Sequence, residues 1–465
     1  MKIKLAKSEL IHFVGIGGIG MSGLALIMKE LGFKVQGSDI TNNKNIERVK
    51  QKKIKIFIGH KKQNITKSTI LVISSAIKNN NPELQYAKKR KIPIYKRGEM
   101  LANVVSLMKN VVVAGSHGKT TTTSLITSIF THAKIDPTVI NGGVLNSFSG
   151  SAKLGKSEWC ILESDESDGS FTKIPSTYSI VTNIDKEHLD HYKSLEVLKK
   201  NFIDFIDKTP SFGKSFICYD DINNIQIIKK IKKLNYNTYG TNKLSNFKII
   251  NIVQKESYSK FDLKISLPAS KDVYIKNIKV PLIGLHNIRN STAAAAVAFS
   301  IGIPIKIIKK GLEKFAGVQR RFTKVFSFQN VSFFDDYAHH PTEIAQVLDG
   351  VSQVYKNKDI ICIFQPHRIS RVKNLHEEFS KAFKKANTVV LCPIYKAGEI
   401  INLGFSYNNF AKKIIKNSKV KLILIKNNFD LVKYVKQNIY GNKIVIGMGA
   451  GSISNWIRDL PKHIK

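Results

Sequence analysis

The run Val111-Val112-Val113-Ala114-Gly115-Ser116-His117-Gly118-Lys119-Thr120-Thr121 constrains this chain more than any other stretch. Its β-branched start reads as a buried strand, a glycine-bounded turn follows, and the residues to Ile126 can form a helix. In that order the backbone N–H groups of Gly115, Ser116, His117 and Gly118 converge at a helix N-terminus, where negative charge is stabilised. Such a loop holds phosphate. Lys119 would reach the β/γ-phosphates of a nucleotide, the Thr120 hydroxyl would ligate Mg²⁺ (or Mn²⁺), and Thr121 continues the first turn. The full P-loop pattern has a further Gly where Val113 stands, so this is a shortened form, G-S-H-G-K-T. The expected ligand is ATP; the plain alternative is a strand–turn–helix with a solvated lysine.

A chain of 465 residues leads one to expect about three domains, and its 43% hydrophobic content is enough for ordinary cores. Cys160, Cys218, Cys362 and Cys392 form no C-x-x-C and no paired spacing, which fits reduced thiols in a cytoplasmic protein. No apolar run reaches the roughly 18 residues of a membrane span. Lys2 and Lys4 precede an apolar stretch to Met28, but its glycines and His12 make a poor signal sequence, so the chain is expected to start at or near Met1. The net charge of +40 comes from lysines scattered through every segment, without an arginine-rich arm or aromatic-interleaved stripe. Neither nucleic acid nor membrane is therefore an expected partner. Arginine is scarce, which makes the pairs Arg320-Arg321 and Arg368/Arg371 candidates for bidentate anion clamps.

Before the ATP loop, Ile11-His12-Phe13-Val14 leads into Gly15-Ile16-Gly17-Gly18-Ile19-Gly20, a helix, and a strand ending at Asp39. This G-x-G-x-x-G with an acidic residue about 20 positions on is the dinucleotide fingerprint. Alone it suggests an NAD(P)-dependent oxidoreductase. Physically it asks only for a diphosphate on the helix N-terminus and a ribose hydroxyl on Asp39, which a UDP-sugar also satisfies. Ser74 and Ser75 close the next apolar run, where ligands of parallel sheets sit. After the loop, the strand Trp159-Cys160-Ile161-Leu162 runs into Glu163, Asp165, Glu166 and Asp168, the place for another Mg²⁺ ligand. A further strand runs into Asp185-Lys186-Glu187-His188-Leu189-Asp190-His191, where His188 or His191 could ligate metal. Residues 240–280 read as antiparallel edge strands. Asn287, in a turn ahead of an Ala-rich helix, offers donor and acceptor to an adenine edge, or simply caps the helix. From residue 317 onward, strand ends carry Asp335-Asp336-Tyr337-Ala338-His339-His340, Gln365-Pro366-His367-Arg368 and Gly447-Met448-Gly449. The expected architecture is α/β, three domains in series: a Rossmann-like domain over 1–106, a central P-loop-type ATPase domain over 107–316, and a Rossmann-like C-terminal domain over 317–465.

Taken together, G-S-H-G-K-T-T-T-T, E-S-D-E-S-D, T-N-I-D-x-E-H-L-D, G-L-H-N, G-V-x-R-R-F, D-D-Y-A-H-H-P-T-E and F-Q-P-H-R-x-x-R occur in the order seen in Mur ligases, which the chain resembles from about residue 10 to 455. The opening G-I-G-G-I-G-M-S-G-L-A is most similar to the branch that joins L-alanine to UDP-N-acetylmuramate. A murein tripeptide ligase is the nearest alternative within the family. The resemblance implies ATP-dependent amide-bond formation through an acyl phosphate, in cytoplasmic peptidoglycan synthesis, by a monomer or weak homodimer. It implies that Gly15, Gly17, Gly18, Gly20, Asp39, Ser74 and Ser75 serve the UDP-sugar, and that Lys119 grips the transferred phosphoryl group. Thr120 and Glu163 would hold one Mg²⁺, and His188 would help bind a second. Asn287 and Arg320 or Arg321 would hold adenine and phosphate, Asp336 the ATP ribose, and Tyr337, His339, Arg368 and Arg371 the amino acid. The family usually has Gly where Ala338 stands, which places a methyl near the expected amino-acid pocket.

Overall fold

The computed structural model describes residues 9–106, 108–167, 169–399 and 405–464. Met1, the boundary residue Leu107 and Asp168 of the acidic run lie outside the described residues. Three sheets follow one another along the chain. The first is wholly parallel, in the order Lys55–Ile58, Lys34–Asp39, Leu10–Val14, Ile70–Ile73, Ile94–Lys96. Its chain order reverses beside Leu10–Val14, so the carboxyl ends of this strand and its neighbours open on a crevice where ligands of such sheets bind. The helix Ile19–Glu30 covers one face, burying Met21, Leu24, Ala25, Ile27 and Met28.

The second sheet has ten strands. At its centre the parallel strands Tyr178–Val181, Lys109–Ala114 and Trp159–Glu163 lie side by side, buried on both faces, which explains their unbroken apolar runs. Phe247–Lys255, Tyr258–Ile265 and Val273–Val280 extend one edge in succession, and the two-residue link between the first pair requires the antiparallel pairing expected there. The helix expected after Thr292 begins earlier, at Leu285, directly after Gly284 with its φ of +90°. Asn287 therefore sits in a first helical turn rather than in a loop.

The third sheet is parallel except for one edge strand, in the order Thr323–Phe328, Val331–Asp336, Lys443–Met448, Asp359–Phe364, Thr388–Leu391, Lys421–Leu424. Phe364, Phe379 and Phe383 pack on one face, and Val331, Phe333 and Ile457 on the other. Ala338 is 1% exposed and belongs to the first of these cores, beside Phe334 and Ile344. Its methyl is buried in that core, one residue from Tyr337 and His339 on either side.

The chain divides into two compact units. One holds the first two sheets up to residue 252, with 261–280 and 289–316; the other holds 253–260, 281–288 and 317–465. No helix among the described residues is long and apolar enough to cross a membrane.

Candidate nucleotide and amino-acid sites

The shortened loop folds as its glycines require. Gly115 has φ +129° and Gly118 φ +83°, both in the region that side-chain-bearing residues avoid. Space reinforces this: a Cβ on Gly115 would lie 2.1 Å from Thr182 Oγ1, and one on Gly118 would lie 2.7 Å from Asn290 Oδ1. Neighbouring strand ends pin the loop. Ser116 N donates to the Asn183 carbonyl at 2.9 Å, His117 N donates to Asn183 Oδ1 at 2.9 Å, and Asp185 N donates to Ser116 Oγ at 2.8 Å. His117 Nε2 lies 3.0 Å from Asp185 Oδ2. The helix Lys119–His132 then starts with Lys119, Thr120 and Thr121 in its first turn.

Lys119 turns back over its loop. Its ammonium donates to the Gly115 carbonyl at 2.6 Å and lies 2.8 Å from Glu166 Oε2, a carboxylate that is fully buried. Burial would lower the lysine, but the charges of Glu166, Glu163 and Asp165 outweigh it and hold the ammonium protonated above its usual range. Next to it, the Thr120 hydroxyl donates to Glu163 Oε2 at 2.8 Å, and Gly142 N donates to the same oxygen at 2.8 Å. A Cβ on Gly142 would lie 2.8 Å from both Glu163 oxygens, so glycine there is what lets the backbone approach the carboxylate. A hydroxyl and a carboxylate converging beside a lysine suit a hard divalent cation such as Mg²⁺ or Mn²⁺. Glu166, Glu187 and His188 bring their ligating atoms within 4.8 Å of one another, with His188 Nε2 at 3.7 Å from Glu166 Oε1. His191 lies instead against the Tyr192 ring and Gly169.

The first glycine turn is built differently. Gly15 has φ +81°, but Gly17 needs only space, since a Cβ there would meet Asn43 Nδ2 at 2.7 Å and Asp39 Oδ2 at 2.9 Å. Asp39 is committed to the loop: Oδ2 accepts from Gly17 N at 2.8 Å and Oδ1 from Ile40 N at 2.8 Å. Ser74 follows its strand with its N–H on the Val14 carbonyl at 3.2 Å, and Ser75 is exposed beside it. Gly20 abuts Arg97, whose guanidinium nitrogen would lie 3.2 Å from a Cβ. Arg97 also reaches Asp165 at 3.6 Å, which puts beside this turn a cation that the glycine motif does not announce.

The second unit gathers the remaining residues. Arg320 and Arg321 place their guanidinium carbons 4.7 Å and 5.4 Å from the Tyr337 ring centre, and Tyr337 stands 5.1 Å from the His339 ring. Arg320 Nη2 also donates to the Gly449 carbonyl at 2.6 Å. His339 faces His367 at 5.9 Å, and His367 stacks on Tyr395 at 5.5 Å. Burial, together with the charges of His339, Arg371 and Arg368, pushes His367 down to about 4, so the ring is neutral near pH 7; its Nδ1 lies 3.4 Å from Arg371 Nη1, a donor that it meets as an acceptor. Arg368 is exposed, with φ +67° and its N–H on the Tyr395 carbonyl. His367 and Tyr395 were missed in the sequence; the adjacency of His367 to Arg368 was the signal available.

Two residues expected at the nucleotide also have partners within the protein. Asp336 is 4% exposed and spends its oxygens on Phe322 N and Ala338 N, both at 2.7 Å, while burial raises its carboxyl to about 6. It clamps the backbone on either side of the strand end. Asn287 donates one N–H of its amide to the Ile283 carbonyl one turn back at 2.8 Å.

Three family models match the chain: Mur ligase family, catalytic domain, over residues 10–108; Mur ligase middle domain over 113–298; and Mur ligase, glutamate ligase domain, over 320–451. A UDP-N-acetylmuramate–L-alanine ligase of Pelagibacter ubique strain HTCC1062 is 66% identical over 464 residues, covering 100% of both chains. One from Bartonella bacilliformis is 40% identical over 465 residues, covering 100% of this chain and 98% of that one. Among solved structures, UDP-N-acetylmuramate-alanine ligase MurC from Thermotoga maritima superposes with a TM-score of 0.80 at 27% identity, covering 97% and 98% of the two chains. These matches leave the NAD(P) alternative without support at the first glycine turn. The chain belongs to the Mur ligase family.

Proposed function

We infer that this chain is an ATP-dependent ligase that joins L-alanine to the lactyl carboxylate of UDP-N-acetylmuramate, a step of peptidoglycan precursor synthesis. The observation that carries the reading is Lys119 and Thr120 converging with Glu163 on one phosphate loop, in a chain 66% identical along its whole length to a relative with that name. A carboxylate is a poor acyl donor until one of its oxygens becomes part of a good leaving group. In the first step the lactyl oxygen attacks the γ-phosphorus and the bond to ADP breaks, giving an acyl phosphate. The amine of L-alanine then attacks the acyl carbon, the C–N bond forms, the amine loses a proton, and phosphate leaves.

The protein's share is positioning and charge neutralisation. Lys119 grips the transferred phosphoryl group, while Gly115, Ser116, His117, Gly118 and Thr121 shape the cradle. Thr120 and Glu163 would hold Mg²⁺ or Mn²⁺, with His188 toward a second ion, and the metal would supply neutralisation of phosphate charge. Gly15, Gly17, Gly18 and Gly20 take the UDP-sugar diphosphate with Arg97 beside them, and Ser74 and Ser75 line that crevice. Arg320 or Arg321 meets nucleotide phosphate, and Tyr337, His339, Arg368 and Arg371 take the amino acid, whose carboxylate suits an arginine fork. The three sheets correspond to three functional modules divided near residues 106 and 316. A cytoplasmic monomer or weak homodimer fits substrates made in the cytosol and four free, buried cysteines.

The test is phosphate release from ATP with UDP-N-acetylmuramate, adding L-alanine, L-serine, glycine or L-alanyl-γ-D-glutamyl-diaminopimelate separately. Release that depends on L-alanine is expected; release only with the tripeptide would move the enzyme to the recycling branch of the family.

A further inference from the structure

Beneath the first glycine turn lies a buried polar cluster that none of the steps above uses. His12, Ser38 and Glu83 are all at or near zero exposure, and they come from three elements: the strands Leu10–Val14 and Lys34–Asp39 and the helix Pro82–Lys89. Ser38 is the hub. Its hydroxyl donates to Glu83 Oε2 at 2.6 Å and accepts from His12 Nε2 at 3.3 Å, with His60 Nδ1 at 3.0 Å. The proton on His12 is fixed by its other neighbour. Gln36 Nε2 donates to the Asn64 carbonyl at 2.8 Å, which turns its NH₂ toward His12 Nδ1 at 3.1 Å, so His12 Nδ1 accepts and Nε2 carries the hydrogen.

Glu83 is fully engaged. Its Oε1 accepts from Asn64 Nδ2 at 2.6 Å and Lys61 N at 3.3 Å, and its Oε2 lies 3.2 Å from His60 Nδ1. Burial would raise this carboxyl, but His12, Ser38 and Asn64 outweigh it and hold it at about 2. It is an anion sealed inside the domain.

On its other side Ser38 holds the turn. Its carbonyl accepts from Gly15 N at 2.8 Å and Ile16 N at 3.1 Å, and the next residue, Asp39, holds Gly17 N at 2.8 Å. The shape of the turn is thus set by Ser38 and Asp39, and Ser38 is set by Glu83. We propose that Glu83 is a positioning residue for the nucleotide-sugar turn, acting through the Ser38 hydroxyl, with His12 as a second tie on the same oxygen. A hydrogen bond to an ionised acceptor is about twice as strong as a neutral one, and it fixes a strand end that a lone serine would leave free to shift. This proposal rests on the reading of Gly15–Gly20 as the UDP-sugar site.

The experiment is calorimetric titration of the full chain with UDP-N-acetylmuramate, and separately with ATP, for wild type, Glu83→Gln, Ser38→Ala and the double variant. Each single change is expected to weaken UDP-N-acetylmuramate about tenfold, the lower end of what losing a ligand-orienting partner costs, and to leave ATP within twofold. The double variant is expected to be no weaker than the weaker single, because both changes break one bond. Ser38→Ala removes a single hydroxyl and carries the test if Glu83→Gln does not fold. An unchanged affinity in folded Ser38→Ala protein, equal weakening of both ligands, or additive losses would overturn the proposal. Wild-type protein that binds ATP but not the sugar nucleotide would overturn the site reading itself, and that result is visible before any variant is compared.

Discussion

The two glycine turns of the first unit have the same local build, a buried strand, a turn and a helix N-terminus, yet they hold their shape by opposite means. The turn at Gly115–Lys119 is constrained by backbone dihedrals and encloses a charge pair, Lys119 against the buried Glu166. The turn at Gly15–Gly20 contains no cation of its own; side chains beneath and beside it, Ser38 and Asp39, hold its N–H groups. A helix N-terminus attracts phosphate in either case. What distinguishes a site for phosphoryl transfer from one for binding a diphosphate is the charge brought to the turn. On the function proposed above, the lysine and carboxylates at Gly115–Lys119 would meet a reacting phosphate and its metal, whereas Arg97 stands alongside the turn at Gly15–Gly20.

The comparison breaks most sharply at Lys119. Lys119→Ala is expected to cut turnover by about 10²–10³ or more, since a charge aimed at the reacting phosphoryl group is lost. It also leaves Glu166 buried and unpaired, which costs of the order of 3 kcal/mol. Adding Glu166→Gln should restore the melting temperature without restoring phosphate release. If Lys119→Ala alone melts like wild type, the ion pair is not a structural term.

Divalent dependence separates the turns next. Thr120→Val is expected to lower kcat by roughly a hundredfold and to raise the Mg²⁺ needed for half-maximal rate, because Glu163 loses its companion ligand. Binding of UDP-N-acetylmuramate measured without ATP should be untouched. A parallel loss of sugar-nucleotide binding would merge the two sites into one.

Glycine substitutions give a finer contrast. Gly118→Ala faces both φ +83° and Asn290 at 2.7 Å, so about 1–2 kcal/mol of backbone strain adds to the clash, and the apparent KM for ATP should rise tenfold or more. Gly17→Ala meets the side-chain ends of Asn43, Asp39 and Ile46, which can move, so a several-fold rise in KM for the sugar nucleotide alone is expected. Equal effects would mean that backbone strain is not what sets the ATP turn apart.

The smallest effect is on acid stability. Glu83 titrates near 2 in the folded chain against 4.5 ordinarily, so in that window the unfolded chain binds the extra proton. The stabilisation from Glu83 is complete above about 4.5 and is lost as pH falls toward 2. Glu83→Gln should lower the melting temperature near neutral pH and flatten its decline between pH 5 and 2. A slope unchanged from wild type would remove Glu83 from the acid response.

Much of this was local enough to be legible in the sequence. Apolar β-branched runs ending in glycine or in acidic and histidine residues located the strands Leu10–Val14, Lys109–Ala114, Trp159–Glu163 and Asp359–Phe364, and the motifs at their ends marked the candidate sites. Helix starts were less legible, as Leu285 shows: a glycine with positive φ can end one segment and admit a helix at once, and the sequence reads the same either way.

What the sequence determined by itself was the α/β class, the two glycine turns and the presence of Lys119, Thr120 and Glu163 at adjacent strand ends. It did not determine which polar residues face ligand and which face inward. Asp336 and Ala338 stand in a motif that reads as ligand-binding, and in the fold one clamps backbone and the other fills a core. Glu166, in an acidic run that reads as metal-binding, is also the buried partner of Lys119, 47 residues away, and Ser38 meets Glu83 across 45. Strand order and helix packing decide such pairings, because a carboxylate becomes a partner, a ligand or a solvated charge according to what the fold places within about 3 Å of its oxygens.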